Sequence, residues 1–261
     1  ALYGCKSLKT VNFANERTAN LTLTAASAGT SAIFYGCHAL ESITLPEKTT
    51  TVGAYAFYGL SNLSEVSFPN TLTTIGNYAF SYAPMTGITL PASITTINTY
   101  AFAYSGLTSI VIPTKVKTMG TFVFYKCTAL ETATFEACTV STNRATTLTL
   151  GADMFSGCTA LKALEIPCNV STIPSRFVDN CRSLRTITFS ANSKLGTVNE
   201  NAFKSSGITS IEFPETSASK LTLNKNLFYN CQYLTKVKLS TDVQSVAGVF
   251  DGCNSIETVE V

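Results

Sequence analysis

The sequence predicts a repeat solenoid: a right-handed superhelix, β-rich, of about eleven repeats of 22–32 residues with one parallel strand each. Three observations predict it. Residues 52–69 read VGAYAFYGLSNLSEVSFP and residues 75–91 read IGNYAFSYAPMTGITLP, one pattern twice, and residues 97–113 continue it as INTYAFAYSGLTSIVIP. The phenylalanine of the pattern returns at near-constant spacing, 23 residues from Phe57 to Phe80 and 22 more to Phe102. Each copy closes on a short run of alternating apolar and polar residues followed by proline. Alternation marks a half-buried strand, and proline, lacking an N–H, ends its ladder.

With phenylalanine as the anchor, the units fall at Leu2, Phe34, Phe57, Phe80, Phe102, Phe124, Phe155, Phe177, Phe203, Phe228 and Phe250. A period of 20–29 residues carrying one strand is the signature of a leucine-rich-repeat solenoid. An aliphatic residue or Met precedes most anchors by five positions, as at Val52, Ile75, Ile97, Met119, Leu150, Val198 and Leu223. A further apolar position follows by five to seven, as at Leu63, Met85, Leu107, Leu184, Ile208 and Leu234. The strand comes next, with inward pairs such as Ile43/Leu45, Val66/Phe68, Ile88/Leu90, Ile110/Ile112, Leu164/Ile166 and Val237/Leu239. Eleven such strands, stacked roughly 4.8 Å apart, would form a single sheet with the anchors as an aromatic row inside. No unit buries its apolar face alone; stacking does it. Residues 1–261 therefore read as one domain. The chain starts on a repeat-like ALYGCKSL and stops on IETVEV, which predicts a piece of a longer chain, because solenoids need polar caps. Extra length falls at about residues 14–31, 136–147, 190–194 and 214–220, as loops on one edge.

Composition narrows the function. Charged residues are 13% against 45% hydrophobic, and the net charge of +2 gives no field suited to nucleic acid. No charged residue lies between Glu65 and Lys115. No apolar run approaches the roughly 20 residues that span a bilayer.

The units xxIGxYAFxxCxxLxxIxLP and xxIxxYAFxxSGLTSIxIP resemble the BspA-like leucine-rich repeats, the treponemal type found in surface proteins of gut and oral bacteria and some protists. The likeness covers essentially the whole chain. It implies an extracellular or cell-surface protein used for adhesion or for binding host or matrix components, with no catalytic residues. Leu2 in place of Phe, Ala133 in a strand, and the repeats of 31 and 32 residues depart from the pattern.

Candidate chemistry is sparse. Cys5, Cys37, Cys127, Cys158, Cys231 and Cys253 lie three after the anchor and Cys181 four after, where Gly, Ala, Ser or Leu60 also serve. That predicts a small buried slot filled by reduced thiols. Cys138 and Cys168 follow strands of successive repeats and are either a disulfide clamp or two unrelated loop thiols. A metal site is not expected, since there is no CxxC and His38 is the only histidine. Cys37 next to His38 is not expected to work as a dyad. No phosphate-cradling GxxxxGK or GxGxxG occurs, and no cofactor is implied. The chain is expected not to be an enzyme; a glycan-cleaving carboxylate pair would need a groove that sequence cannot reveal.

Binding has more support. Outward strand positions are rich in hydroxyls, as at Ser42/Thr44, Ser109/Val111 and Thr186/Thr188, although Thr is also simply a good strand former. Tyr55, Tyr78 and Tyr100 recur two before the anchor, and Tyr82 and Tyr104 two after it. Stacked turns would align them as a ladder, a candidate ligand-binding surface for a protein or a glycan. The plainer reading has those rings shielding the turn and packing on one another. The expected function is thus a ligand-binding or adhesion module, with a structural spacer presenting another domain as the alternative.

Overall fold

The computed structural model describes residues 2, 4–13, 33–34, 36–136, 147–215 and 220–261. Among them there is no helix, and about nine turns of solenoid run from the Phe34 anchor to Phe250. The longer strands lie in parallel along one side, in register from turn to turn: Val11 opposite Ile43, Ile43 opposite Val66, and Leu164 opposite Ile187, then Ile211 and Val237. Inward residues such as Ile43, Ile110, Leu164 and Val237 are buried because each strand presents one face to the interior.

The expected single sheet is divided. Thr10–Asn12, Ser42–Thr44 and Glu65–Ser67 form one sheet, and seven strands from Ser109–Ile112 to Thr258–Glu260 form another. The strand expected around Ile88/Leu90 is not made: residues 87–90 form no backbone hydrogen bond, and only the carbonyl of Thr86 is bonded forward, to the N–H of Thr108 at 2.8 Å. Gly87 accounts for this. It replaces the side chain that Glu65 and Ser109 supply at the same level, and glycine weakens a strand by its backbone freedom.

A second row of parallel strands accompanies the expected one. Thr51–Val52, Thr74–Ile75, Thr96–Ile97 and Thr118–Met119 form one short sheet, and Thr172–Ile173, Thr197–Val198 and Thr222–Leu223 another. The aliphatic position before seven of the anchors is thus a strand residue. Its partner is always threonine, which faces its counterpart across each rung and, through Thr118 opposite Thr149, extends the column past the long repeat.

The anchors fill the interior. From Phe34 to Phe155 successive rings stack at 5.1–5.7 Å, within 17° of parallel. Phe155 and Phe177 then turn edge-to-face, at 80°. The small slot is as expected. Cys37, Cys127, Cys158, Cys181 and Cys231 are free, buried thiols, whereas Cys5 and Cys253 are more open in the outermost turns. In each case where a partner is seen, Sγ donates to the anchor carbonyl one turn back, as from Cys127 to Phe102 at 3.0 Å and Cys158 to Phe124 at 3.0 Å. Cys37 does the same to Leu2, at 2.9 Å, so its thiol is engaged away from any partnership with His38. Cys168 is disulfide-bonded. Cys138 lies outside the described residues, as do most of the extra segments at 14–31 and 136–147 and part of that at 214–220.

Candidate aromatic binding surface

The turn around most anchors is built by a repeated backbone device. The residues two before and two after the anchor adopt left-handed backbone, and their N–H groups bond to the next turn: Tyr55 to the carbonyl of Asn77 at 2.9 Å, Tyr78 to Thr99 at 3.0 Å, Tyr82 to Ala103 at 3.0 Å. Glycine or asparagine suits such positions, since a Cβ there crowds the carbonyl and costs roughly 1–2 kcal/mol. Many of these positions comply, as at Gly36, Gly59, Gly157, Asn201, Asn226, Asn230 and Gly248, with Lys126, Asp153 and Ser205 as polar exceptions. The charge-poor middle does not. Tyr55, Tyr78, Tyr82, Tyr100, Tyr104 and Phe122 hold φ between 56° and 62°.

These rings form two columns. Tyr55, Tyr78 and Tyr100 stack at 4.9 and 4.7 Å, within 8° of parallel, and Phe122 adds a fourth rung at 4.5 Å. Tyr82 and Tyr104 stack at 4.5 Å in the second column. Tyr58 meets Tyr55 and Tyr82 edge-on at 5.7 and 5.6 Å, and Tyr125 meets Tyr104 and Phe122 at 5.4 and 5.3 Å, so the columns lock together. Lys126 places its Nζ 5.7 Å from the Tyr104 ring and 5.3 Å from Tyr125, a cation–π contact. Beyond Phe122 the first column ends at Asp153, a nearly buried carboxylate receiving Arg176 Nε at 2.7 Å and Nη2 at 2.8 Å.

The five tyrosines singled out by sequence therefore stand together. Tyr58 and Tyr125, which directly follow their anchors in sequence, complete the patch from outside that set; Phe122 and Lys126 were missed, though Phe122 was available from its place two before Phe124. Burial, followed by neighbouring phenols, pushes Tyr58, Tyr78 and Tyr100 above the usual phenol range, so their hydroxyls stay neutral donors and acceptors at physiological pH. Stacking covers ring faces and leaves edges and hydroxyls to solvent, with Tyr82 the most open at 48%. Such a surface can hydrogen-bond and pack against a ligand without attracting ions.

The outward face of the longer strands is a second candidate region. Over the interrupted turn it holds a depression of about 660 Å³ lined by Glu65, Ser67, Gly87, Thr89, Ser109 and Val111. Elsewhere its charges pair between rungs, as Lys9 with Glu41 at 3.1 Å, Lys236 with Glu260 at 2.6 Å and Lys238 with Glu212. Among the described residues no group of three or more His, Cys, Asp or Glu converges as a metal site would require, and no helix is long and apolar enough to cross a membrane.

The BspA-type leucine-rich-repeat region model matches residues 30–146 and 148–261, in six copies. Among solved structures, a leucine-rich-repeat protein from Bacteroides ovatus aligns with a TM-score of 0.69 at 23% identity, over 96% of this chain and 70% of that one. The pneumococcal vaccine antigen PcpA aligns with a TM-score of 0.59 at 18% identity, over 85% of this chain and 60% of its own. At these identities the likeness concerns the fold. No curated protein matches in sequence.

Proposed function

The chain belongs to the BspA-type leucine-rich-repeat family, and on that premise we propose that it is a non-enzymatic ligand-binding module, extracellular or at the cell surface, recognising a protein or a glycan through its tyrosine ladder. One observation carries this reading: six aromatic residues occupy left-handed backbone where most other turns of the same solenoid use glycine or asparagine. The fold does not need them there, and bulky residues held in that region are a recognised mark of functional surfaces. Their edges and hydroxyls give wide, rigid contact area with little side-chain entropy to lose. The disulfide at Cys168 supports an oxidising compartment.

A spacer role is favoured by one feature, the closure of the rings upon themselves, which stiffens the middle turns. Immobilised matrix proteins and glycans probed with the protein and with its Tyr55/Tyr78/Tyr100→Asn variant separate the two. Asparagine occupies the equivalent places at 201 and 226, so the variant should fold. Loss of binding in the folded variant is the expected result. Binding that survives would clear the ladder, and a wild-type chain that binds nothing would favour the spacer.

A further inference from the structure

The turns following Phe177, Phe203 and Phe228 are neighbours, and the middle one is a residue short. Two residues separate Cys181 from Leu184 and Cys231 from Leu234, but Gly207 alone separates Ser206 from Ile208. All six flanking residues are buried, so the missing length is taken from the surface. It leaves a notch of about 300 Å³ between Arg182 on one side and Gln232 and Tyr233 on the other.

The notch is furnished. Beside it, Arg185 donates from Nη1 to the carbonyls of two lining residues, Arg182 at 2.6 Å and Gly207 at 3.0 Å. A Cβ at position 207 would stand 2.1 Å from that same nitrogen, so the glycine makes room for the guanidinium. Tyr233, 60% exposed, lies with its ring centroid 5.5 Å from the Arg185 guanidinium carbon. Along the rim Asn180 accepts from Arg182 Nε at 2.8 Å, Asn230 donates to Ser205 at 3.2 Å, and Gln232 donates to Asn230 at 2.7 Å. These bonds use Nε of Arg182 and the amide nitrogen of Gln232, so the terminal nitrogens of Arg182, the side-chain oxygen of Gln232 and the Tyr233 hydroxyl keep hydrogen-bonding capacity for a ligand. No carboxylate is among the residues lining it.

We propose that this notch binds an acidic saccharide, a sugar ring carrying a carboxylate. The carboxylate pairs with the forked nitrogens of Arg182, the amides and Ser205 exchange hydrogen bonds with ring hydroxyls, and the sugar's apolar face rests on Tyr233. Neutral groups that both donate and accept outnumber the available cation, which fits a polyol better than an acidic peptide. The proposal rests on the reading of the chain as a binding module but uses none of the ladder residues.

Calorimetric titration tests it with hexagalacturonate and 3′-sialyllactose as acidic probes, and methyl-esterified hexagalacturonate and a hexaglutamate peptide as controls. At least one acidic sugar should bind, and the corresponding neutral or peptide control about 10-fold more weakly or not at all. Arg182→Gln and Tyr233→Ala, both at exposed positions, should each weaken binding about 5- to 10-fold with melting temperature unchanged, while the Tyr55/Tyr78/Tyr100→Asn variant binds as the parent does. Neither acidic sugar binding, equal affinity for the ester or for hexaglutamate, or indifference to both notch substitutions would overturn the proposal. Sugar binding lost only in the ladder variant would overturn it too, while upholding the ladder.

Discussion

Substituting Tyr100 three ways exposes the balance between backbone strain and ring stacking. Tyr100 sits at φ 56° between Tyr78 at 4.7 Å and Phe122 at 4.5 Å. Each stack is worth about 0.5–1.5 kcal/mol, so losing both removes about 1–3 kcal/mol. Tyr100→Ala loses the stacks yet keeps the left-handed penalty of about 1–2 kcal/mol, because alanine has a Cβ. Tyr100→Gly loses the same stacks but sheds that penalty, offset by about 0.5–1 kcal/mol of extra unfolded-state entropy. Tyr100→Asn keeps a side chain that tolerates this region, as at Asn201 and Asn226. The expected order is therefore parent above Asn and Gly, with Ala lowest by about 1 kcal/mol, the reverse of the usual preference for Ala over Gly. Urea unfolding followed by circular dichroism and tyrosine fluorescence measures it, provided the two probes coincide. If Ala proves as stable as Asn and Gly, the strain argument fails. If none of the three moves the midpoint, the stack carries no energy.

Three further outcomes follow from the same geometry. Burial pushes the Cys127 thiol from about 9 up to about 11; its contribution is whole below pH 9 and is lost as pH rises to about 11, about 2–3 kcal/mol in all. Cys127→Ser, which copies Ser105 and Ser206 in equivalent slots, should flatten the alkaline limb of a stability–pH curve; an unchanged limb would contradict this. Arg176→Ala strands the nearly buried Asp153 carboxylate and, with the guanidinium half exposed, should cost about 1–3 kcal/mol, most of it recovered in Asp153→Asn/Arg176→Ala; a double variant no better than the single would rule out the stranded charge. Gly87→Thr, whose Cβ meets nothing within 4 Å, should add about 0.5–1 kcal/mol and slow amide exchange at Val66 and Val111; unaltered exchange would show that the strand break has another cause.

Much of this was legible because the strongest signal is periodic. The anchors, the apolar positions and the longer strands each bury a side chain at a fixed offset, and burial writes itself into residue type. The second row escaped notice because a strand such as Thr74–Ile75 is too short to show alternation. The interruption at Gly87 turns on whether backbone groups meet, and alternating Ile88 and Leu90 mimic a strand regardless. The tyrosines could be counted, but not their left-handed backbone, since the residues that usually announce it are glycine and asparagine. The notch was visible only as a spacing that varied between five and seven. Its shape depends on Arg185 reaching forward one turn to the carbonyl of Gly207, 22 residues on, a contact no local spacing announces.

The two interruptions fall in different places. The longer-strand row parts at residues 87–90, where Thr74–Ile75 and Thr96–Ile97 remain paired; the short row parts between Thr149 and Thr172, where Thr132–Phe135, Ala163–Ile166 and Thr186–Phe189 run on unbroken. Among the described residues the two seams therefore fall at different levels of the solenoid. Tension along its axis, such as flowing liquid exerts on anything tethered at one end and gripped at the other, is handed at each seam to the opposite row. At each seam the other row keeps its strands paired, so neither break falls where both rows are open.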